Sequence, residues 1–320
     1  MSKSVLIYGF GKLGESILKG LIDLGIKVYH ESYNGLSDTE KVFDYKNVLV
    51  DINNSTKLKK QLYRTDLKYE VSYIIVTLTG DVLEKEIDFL LELEIPLIIL
   101  STKYDEELIS SKAENAGVQI LMSQNMALAI VDFWNRIDSI DNVPVTEEIS
   151  IFVQESHQKT KADISGSAIK ALNLFESKDF LIYFDDKDKE SFKPGVDAEY
   201  GCISCIRNEK TQLEKLNVPK EFLGGHGYHT ICLFPEIWNN ESVMYLSKLY
   251  NIFKSLEDYT IEGVLDFKVF IEQDEGLVIV HNINGRDIYT DGVVKSMKFL
   301  ENVDVGVYSA IDVINSIVSE

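Results

Sequence analysis

Cysteine, positive charge and long apolar runs are what this chain has least of. Its 320 residues include only three cysteines, Cys202, Cys205 and Cys232. That is too few for a disulfide framework, so a reducing compartment, the cytoplasm, is expected. Cys202 and Cys205 are spaced C-x-x-C, but no second pair completes a zinc site. Ile203 and Ile206 around them read as strand, where positions i and i+3 face opposite sides. Core cysteines are therefore expected there, and no metal. The longest apolar runs, such as Tyr73–Val76 and Ile95–Leu100, fall far short of the ~20 residues of a membrane helix. The N-terminus reaches glycine by Gly9 without the basic start and apolar stretch of a signal peptide, so none is expected. Lys+Arg number 32 against 52 Asp+Glu, a formal net charge of -20. A chain this acidic repels a phosphate backbone unless it gathers a basic groove, and no basic run is present, so nucleic acid is not an expected partner. An anionic small ligand would need a locally positive pocket.

What is present fits a two-domain globular protein, at about 150 residues per domain. Hydrophobic residues make up 45% and charged residues 26%, which excludes disorder, collagen and coiled coil. Residues 4–8 form a short apolar run ending in glycine, as a buried parallel strand does. Leu13, Ile17, Leu21 and Leu24 then recur at helical spacing, with Gly25 as a stop. Apolar runs return at 26–30, 48–50, 73–78, 97–100 and 118–121, with helix-like stretches near 81–94 and 105–116. This alternation predicts an α/β, doubly wound parallel sheet. After about residue 140 the pattern changes. A linker-like stretch begins at Asp141, and longer strands follow at 149–154, 228–234, 264–272 and 277–282. A helical stretch at about 165–177 interrupts them. This predicts a second, α+β domain. Residues 184–200 and 207–222 read as polar loop, 235–258 as a helical excursion and 287–318 as helix. The expected division is 1–128 with 283–320 for the first domain and 129–282 for the second.

Gly9-Phe10-Gly11-Lys12-Leu13-Gly14 reads G-x-G-x-x-G between a predicted strand and a predicted helix, the context the motif requires. The first glycine permits the tight turn, the second lets a pyrophosphate approach the backbone, and the third allows close helix–strand packing. The helix N-terminus then offers N–H groups and a positive dipole end. A Rossmann dinucleotide-binding domain is expected, rather than a glycine turn without a ligand. Glu31, at the end of the second strand, stands near the position of the acid that binds the adenosine ribose hydroxyls. An acid there repels a 2′-phosphate, so NADH is expected to be preferred, with NADPH possible; the other reading is a solvated loop acid.

The densest chemistry lies between Glu155 and Ser167. A strand is expected to end near Glu155 and a helix to begin near Ser165. His157 can act as an acid near neutral pH, Lys161 supplies a cation beside Lys159, and Ser165-Gly166-Ser167 offers backbone N–H groups at a helix N-terminus. Together they make a positive pocket suited to a small dicarboxylate. On composition alone, a polar loop with a serine helix cap fits equally well. His226 and His229, spaced H-x-x-H in a predicted strand, would face opposite sides and share no metal. His281 is expected near the return to the first domain, and Arg286 is open between an ion pair and the cofactor.

The Glu155–Ser167 stretch resembles the signature of the 4-hydroxy-tetrahydrodipicolinate (dihydrodipicolinate) reductase family, E-x-H-H-x-x-K-x-D-x-P-S-G-T. The resemblance runs through nearly the whole chain in the same order. Thr77-Leu78-Thr79 stands where the family has D-F-T and Ser101-Thr102-Lys103 where it has T-T-G. Gln124–Ala127 resembles P-N-F-S, Gly227–Thr230 resembles G-E-H-T, and the stretch from His281 to Gly292 resembles H-R-A-x-S-R-x-x-F-A-x-G. The resemblance implies an NAD(P)H-dependent oxidoreductase of lysine and diaminopimelate biosynthesis that reduces a cyclic imine dicarboxylate. It implies His157 as the acid, Lys161 as substrate cation, and Gln158, Ser165, Gly166 and Ser167 around the substrate. The glycine loop, Glu31, Thr79, Ser101, Thr102, Lys103, Asn125 and Arg286 would surround the cofactor. The second domain would bind the substrate and build a homo-oligomer, a tetramer in the family. From the residues themselves neither a metal nor a membrane is expected.

The departures from the pattern are Gln158 for the second histidine, the absent proline, a spacing from Lys161 to the serine–glycine pair shorter by one residue, and Ala127 for serine. Lys103 in place of glycine is expected to disturb the backbone approach to the nicotinamide. Extra sequence lies around 176–200, 208–222 and 235–262. Two alternatives stay open: a reductase of another small imine or keto acid, and a non-catalytic nucleotide-binding protein.

Overall fold

A computed structural model describes residues 4–32, 41–46, 48–54, 70–138, 149–173, 181–184, 201–235, 263–271, 274–285 and 287–318. The chain divides into two compact units, 1–128 with 286–320, and 129–285. Arg286, the 141–145 stretch, 185–200 and 236–262 lie outside the described residues.

The first unit is built on β1 (Ser4–Tyr8), β2 (Lys27–Ser32), β3 (Lys41–Tyr45), β4 (Val48–Asn54), β5 (Tyr73–Val76), β6 (Leu97–Ile99), β7 (Ile120–Met122) and β14 (Val307–Ser309). They form one sheet in the order β14-β7-β6-β5-β1-β2-β4-β3. All neighbours are parallel except β3 and β4, which pair antiparallel. Every residue of β1, β5 and β6 is buried, as expected for parallel strands covered on both faces. The helices are α1 (Lys12–Asp23), α2 (Gly80–Glu92), α3 (Glu106–Ala116), α7 (Asp287–Leu300) and α8 (Ala310–Val318).

Three sequence expectations are corrected in this unit. Leu24 is 60% exposed, and Leu18 completes the buried stripe of α1 with Ile17 and Leu21. The stripe stops there because Gly25 turns the chain at φ 71°. The 287–318 segment is not continuous helix: β14 interrupts it and adds an edge strand beside β7. An antiparallel strand, β3, also extends the sheet beyond β4.

The chain passes into the second unit at the start of α4 (Leu128–Asp138). Its sheet has the order β12-β13-β11-β8-β10-β9. The strands are β8 (Ile149–His157), β9 (Leu181–Phe184), β10 (Gly201–Ile206), β11 (His226–Pro235), β12 (Gly263–Ile271) and β13 (Asp274–Asn284). β8 pairs antiparallel with β11 and parallel with β10, giving the mixed sheet of an α+β layer. The 207–222 segment is not loop throughout. Asn208 accepts hydrogen bonds from the N–H groups of Lys210 and Thr211 and caps α6 (Glu209–Glu214). An asparagine at a helix N-cap supplies the acceptor that the first turn lacks, and polarity alone hid it. α5 (Gly166–Asn173) lies on this sheet.

Candidate functional site

In the first unit, β1 lies between β2 and β5, and Tyr8 is in register with both Glu31 and Val76. The carboxyl ends of these strands therefore align where the sheet order reverses, the place at which doubly wound sheets bind ligands. Gly9 follows with φ +123°, and a Cβ there would stand 2.7 Å from Thr77 Oγ1. Thr77 donates its hydroxyl to the Gly9 carbonyl at 3.0 Å. A Cβ on Gly14, on α1, would be 2.5 Å from the Gly9 carbonyl oxygen. The third glycine thus lets helix and loop touch. Gly11 differs: a Cβ there would meet nothing within 4 Å. Packing among the described residues does not explain that glycine. Gly11 is the N-cap of α1 and provides no side-chain cap, and the first-turn amides form the positive end of the helix dipole. Phe10 and Leu13 are half-buried and Lys12 is exposed.

The next loops stand at the same sheet edge. Thr79 precedes α2 and donates to Asp81 Oδ1 at 2.6 Å. Ser101 is buried, with no hydrogen-bond partner for its hydroxyl among the described residues, while Thr102 and Lys103 are exposed. Lys103 adopts φ 60°, the left-handed region that favours glycine, so the backbone keeps the glycine path at a cost of about 1–2 kcal/mol. Gly80 packs against it: a Cβ there would fall 2.1 Å from the Lys103 carbonyl oxygen. Asn125 is half-buried and its Oδ1 accepts from the Ala127 N–H at 2.9 Å, while Ser123 Oγ donates to the Asn125 carbonyl at 2.6 Å. The loop is pressed onto α7, since a Cβ on Gly292 would reach 1.8 Å from the Met126 carbonyl oxygen. Glu31 holds its place at the end of β2.

In the second unit β8 runs through His157, beyond its expected end near Glu155. Alternation puts Glu155 and His157 on one face. Opposite them on β11 stand His229 and Gly227 respectively, and His281 of β13 stands opposite His229. The His157 and His229 rings meet edge to face, with centroids 5.2 Å apart. His157 is 16% exposed, and its Nδ1 hydrogen-bonds Glu155 Oε2. Glu155 is fully buried and receives two bonds from Arg207, Nη1 to Oε2 at 3.0 Å and Nη2 to Oε1 at 2.5 Å. Burial alone would raise the Glu155 carboxyl. The hydrogen bonds from His157 and Arg207 outweigh it and hold the group well below the usual carboxylate range. Gln212 of α6, fully buried, donates to the His157 carbonyl at 2.8 Å.

Lys161 follows a tight turn closed by its N–H on the Gln158 carbonyl at 2.9 Å. Its side chain is 19% exposed, and its ammonium bonds the exposed Asp163 at 2.8 Å; that hydrogen bond lowers the Asp163 carboxyl. A carboxylate partner this exposed can be exchanged for a ligand carboxylate. Ser165 caps α5, accepting from the Ala168 N–H at 3.4 Å, and its hydroxyl lies 2.6 Å from His229 Nε2. Burial drives His229 far below its ordinary value, with the nearby His157 and His281 adding to the effect. His229 is therefore neutral at physiological pH. Its tie to Ser165 docks the N-terminus of α5 on the face that carries His157. Gly166 is exposed and Ser167 buried in that first turn. His226, on the other face, is lowered to about 4 by burial. Its Nδ1 donates to the Phe222 carbonyl at 3.1 Å, and Ser156 Oγ lies 2.9 Å from its Nε2.

One arrangement thus joins a strand-end imidazole, a buried carboxylate–guanidinium pair, a half-buried ammonium and a helix N-terminus. The family model for the C-terminus of dihydrodipicolinate reductase matches residues 141–314, more than half of the chain. The chain belongs to the dihydrodipicolinate reductase family. Over its length it is similar to 4-hydroxy-tetrahydrodipicolinate reductases 2 and 1, chloroplastic, of Arabidopsis thaliana. Each is 21% identical over 319 residues, covering 97% of this chain and 77% of the relative. A structure of dipicolinate-bound dihydrodipicolinate reductase from Paenisporosarcina sp. TG-14 is 12% identical with a TM-score of 0.58, covering 98% of this chain and 99% of that one. It shares the fold.

Two residues of this member of the family escaped the sequence reading. Glu155 stood in the signature without a role. Arg207 was read as the first residue of a polar loop. It is one of only four arginines, with Arg64, Arg136 and Arg286, among 32 basic residues. An arginine directly after a strand in so lysine-rich a chain is a signal, because arginine is chosen where a planar fork is needed.

Proposed function

We propose that this chain catalyses the nicotinamide-dependent reduction of 4-hydroxy-tetrahydrodipicolinate to tetrahydrodipicolinate, in lysine and diaminopimelate biosynthesis. The observation that carries the reading is the second unit's face. An acid–base imidazole, an exchangeable ammonium and a helix N-terminus stand together in a chain of net charge -20. That is the local positive charge a dicarboxylate needs. The first unit fits a dinucleotide on its own geometry: two of the loop glycines are required by packing and Gly11 is left open. The residues that would hold it are Gly9–Gly14, Glu31, Thr79, Ser101–Lys103 and Asn125; Arg286 is assigned there from the sequence alone. When bound, the nicotinamide supplies the hydride.

The protein's own part is binding and proton delivery. Lys161 exchanges Asp163 for a substrate carboxylate, and the first turn of α5 receives the other. Gln158, following His157, donates to the substrate but carries no charge. Loss of the 4-hydroxyl as water leaves a conjugated imine; once the hydride has added to it, His157 delivers a proton from its ring to the carbon skeleton, a role worth about 10²–10⁴ in rate. Glu31 at the end of β2 supports NADH over NADPH, since a carboxylate repels the 2′-phosphate. Membership of the family supports a homo-oligomer, checked by light scattering of the purified protein. The low cysteine content supports a reducing, cytoplasmic setting.

The test is NADH consumption with substrate made in situ by its synthase. Turnover is expected, falling by about 10²–10⁴ in His157→Ala. Absence of turnover in a wild-type protein that binds NADH overturns the proposed reaction.

A further inference from the structure

The buried pair beside His157 does more than fill the sheet. Arg207 uses every face of its guanidinium. Two bonds go to Glu155, Nε donates to the Lys161 carbonyl at 2.9 Å, Nη2 to the Asp163 carbonyl at 3.1 Å, and Nη1 also to the Ile206 carbonyl at 3.0 Å. The side chain is 1% exposed. The carboxylate it holds is the one that grips His157 Nδ1. The backbone it holds is that of the loop carrying Lys161. Beyond the far side of the ring, a Cβ on Gly227 would stand 3.3 Å from His157 Nε2, so glycine keeps that nitrogen uncrowded.

We propose that Arg207 and Glu155 are positioning residues that set the acid and the substrate cation from one buried centre. Glu155 fixes the tautomer of His157, with the proton of the neutral ring on Nδ1 and Nε2 turned to the reaction. Arg207 keeps that carboxylate ionised and in place, and by the same fork holds the Lys161 loop at a fixed offset from the imidazole. Lysine could not do both, because an ammonium lacks the planar fork. The inference rests on reading His157 as the proton donor.

The other charged and titratable groups around His157 are Lys161 on the following loop, His229 and His281 on the neighbouring strands and His226 on the opposite face. Burial keeps the three neighbouring histidines neutral. The negative charge built against the imidazole is therefore that of Glu155.

The experiment uses the full chain as wild type, Glu155→Gln, Arg207→Lys and the double variant Glu155→Leu/Arg207→Met. The double variant removes both buried charges together and so leaves neither unpaired. Long-range proton–nitrogen NMR reads the His157 tautomer, and steady-state kinetics read kcat and KM. Wild type is expected to carry the Nδ1–H tautomer, and the double variant to lose it. In Glu155→Gln, kcat should fall about 10- to 100-fold, and KM for NADH should not change. Arg207→Lys should instead raise KM for the dicarboxylate. A wild-type Nε2–H tautomer, or a Glu155→Gln enzyme with the wild-type kcat, overturns the inference. If wild type turns over no substrate, the proposed reaction falls, and the tautomer alone decides the positioning claim.

Discussion

In the first unit β1 and β5, beneath the glycine loop, are buried throughout and apart from Ser4 are hydrophobic, and the loops at their ends rely on close backbone packing. Gly9, Gly14, Gly80 and Gly292 each sit where a Cβ would collide within 3 Å. The buried carboxylate there, Glu86, receives the hydroxyl of Tyr8 at 2.8 Å. In the second unit the equivalent depth is filled with ionisable groups: Glu155, Arg207, His226, His229 and His281 are all buried. A phosphate needs amides and a dipole, which any chain possesses once glycine clears the way. Proton transfer needs a side chain held in one protonation state and one orientation, which takes further side chains around it. The first unit is therefore intolerant of added bulk, and the second of altered charge.

The largest expected effect comes from leaving one buried charge alone. Arg207→Met should destabilise the second unit by about 3–5 kcal/mol, because Glu155 stays buried without its cation. Hydrogen exchange should show protection lost in β8, β10 and β11 and kept in β1, β5 and β6. Equal loss in both units would erase the contrast.

Acid should separate the units next. Burial lowers His226 to about 4 and His281 to about 3 from an ordinary 6.5, and His229 well below it. Folded values below the unfolded value mean that this stability is present above pH 6.5 and is lost as pH falls toward the folded values. His226 and His281 each account for about 1.4 kcal/mol per pH unit, so the two give about 2–3 kcal/mol between about pH 6 and about pH 5, and His229 acts in the same direction. Glu155, also held below its ordinary 4.5, adds to the loss only below that value. Denaturant titrations across this range, with exchange locating the change, should show the second unit failing first.

Two glycines of one loop should behave oppositely. Gly14→Ala, whose Cβ would meet the Gly9 carbonyl, should cost about 1–3 kcal/mol. Gly11→Ala should leave thermal stability unchanged and weaken NADH binding at least about tenfold. If both merely lower Tm, the open space at Gly11 is not a phosphate site.

The smallest effect is expected at Lys103→Gly. It releases the left-handed strain but frees the unfolded chain, so stability should rise by about 1 kcal/mol or less. Denaturant melting checks it.

The same contrast explains how much was legible beforehand. The alternation of apolar runs gave the doubly wound sheet, and G-x-G-x-x-G gave the cradle, because backbone requirements leave local marks in sequence. His157, Lys161 and Ser165 were legible through one compact stretch. Arg207 and Glu155 were not paired in that reading, since they lie 52 residues apart and only the β8–β10 register joins them. The short edge strand β14 and the helix α6 were missed for a different reason. Three- and six-residue elements are too brief to show a period, and tertiary pairing, or a single asparagine cap, decides them.

The most direct measurement is calorimetric titration of dipicolinate and of NADH into wild type, Gly11→Ala and Lys161→Met. The account predicts that Gly11→Ala loses NADH and keeps dipicolinate, while Lys161→Met loses dipicolinate and keeps NADH. A wild type that binds no dipicolinate, or a Lys161→Met variant that binds it unchanged, would contradict the account.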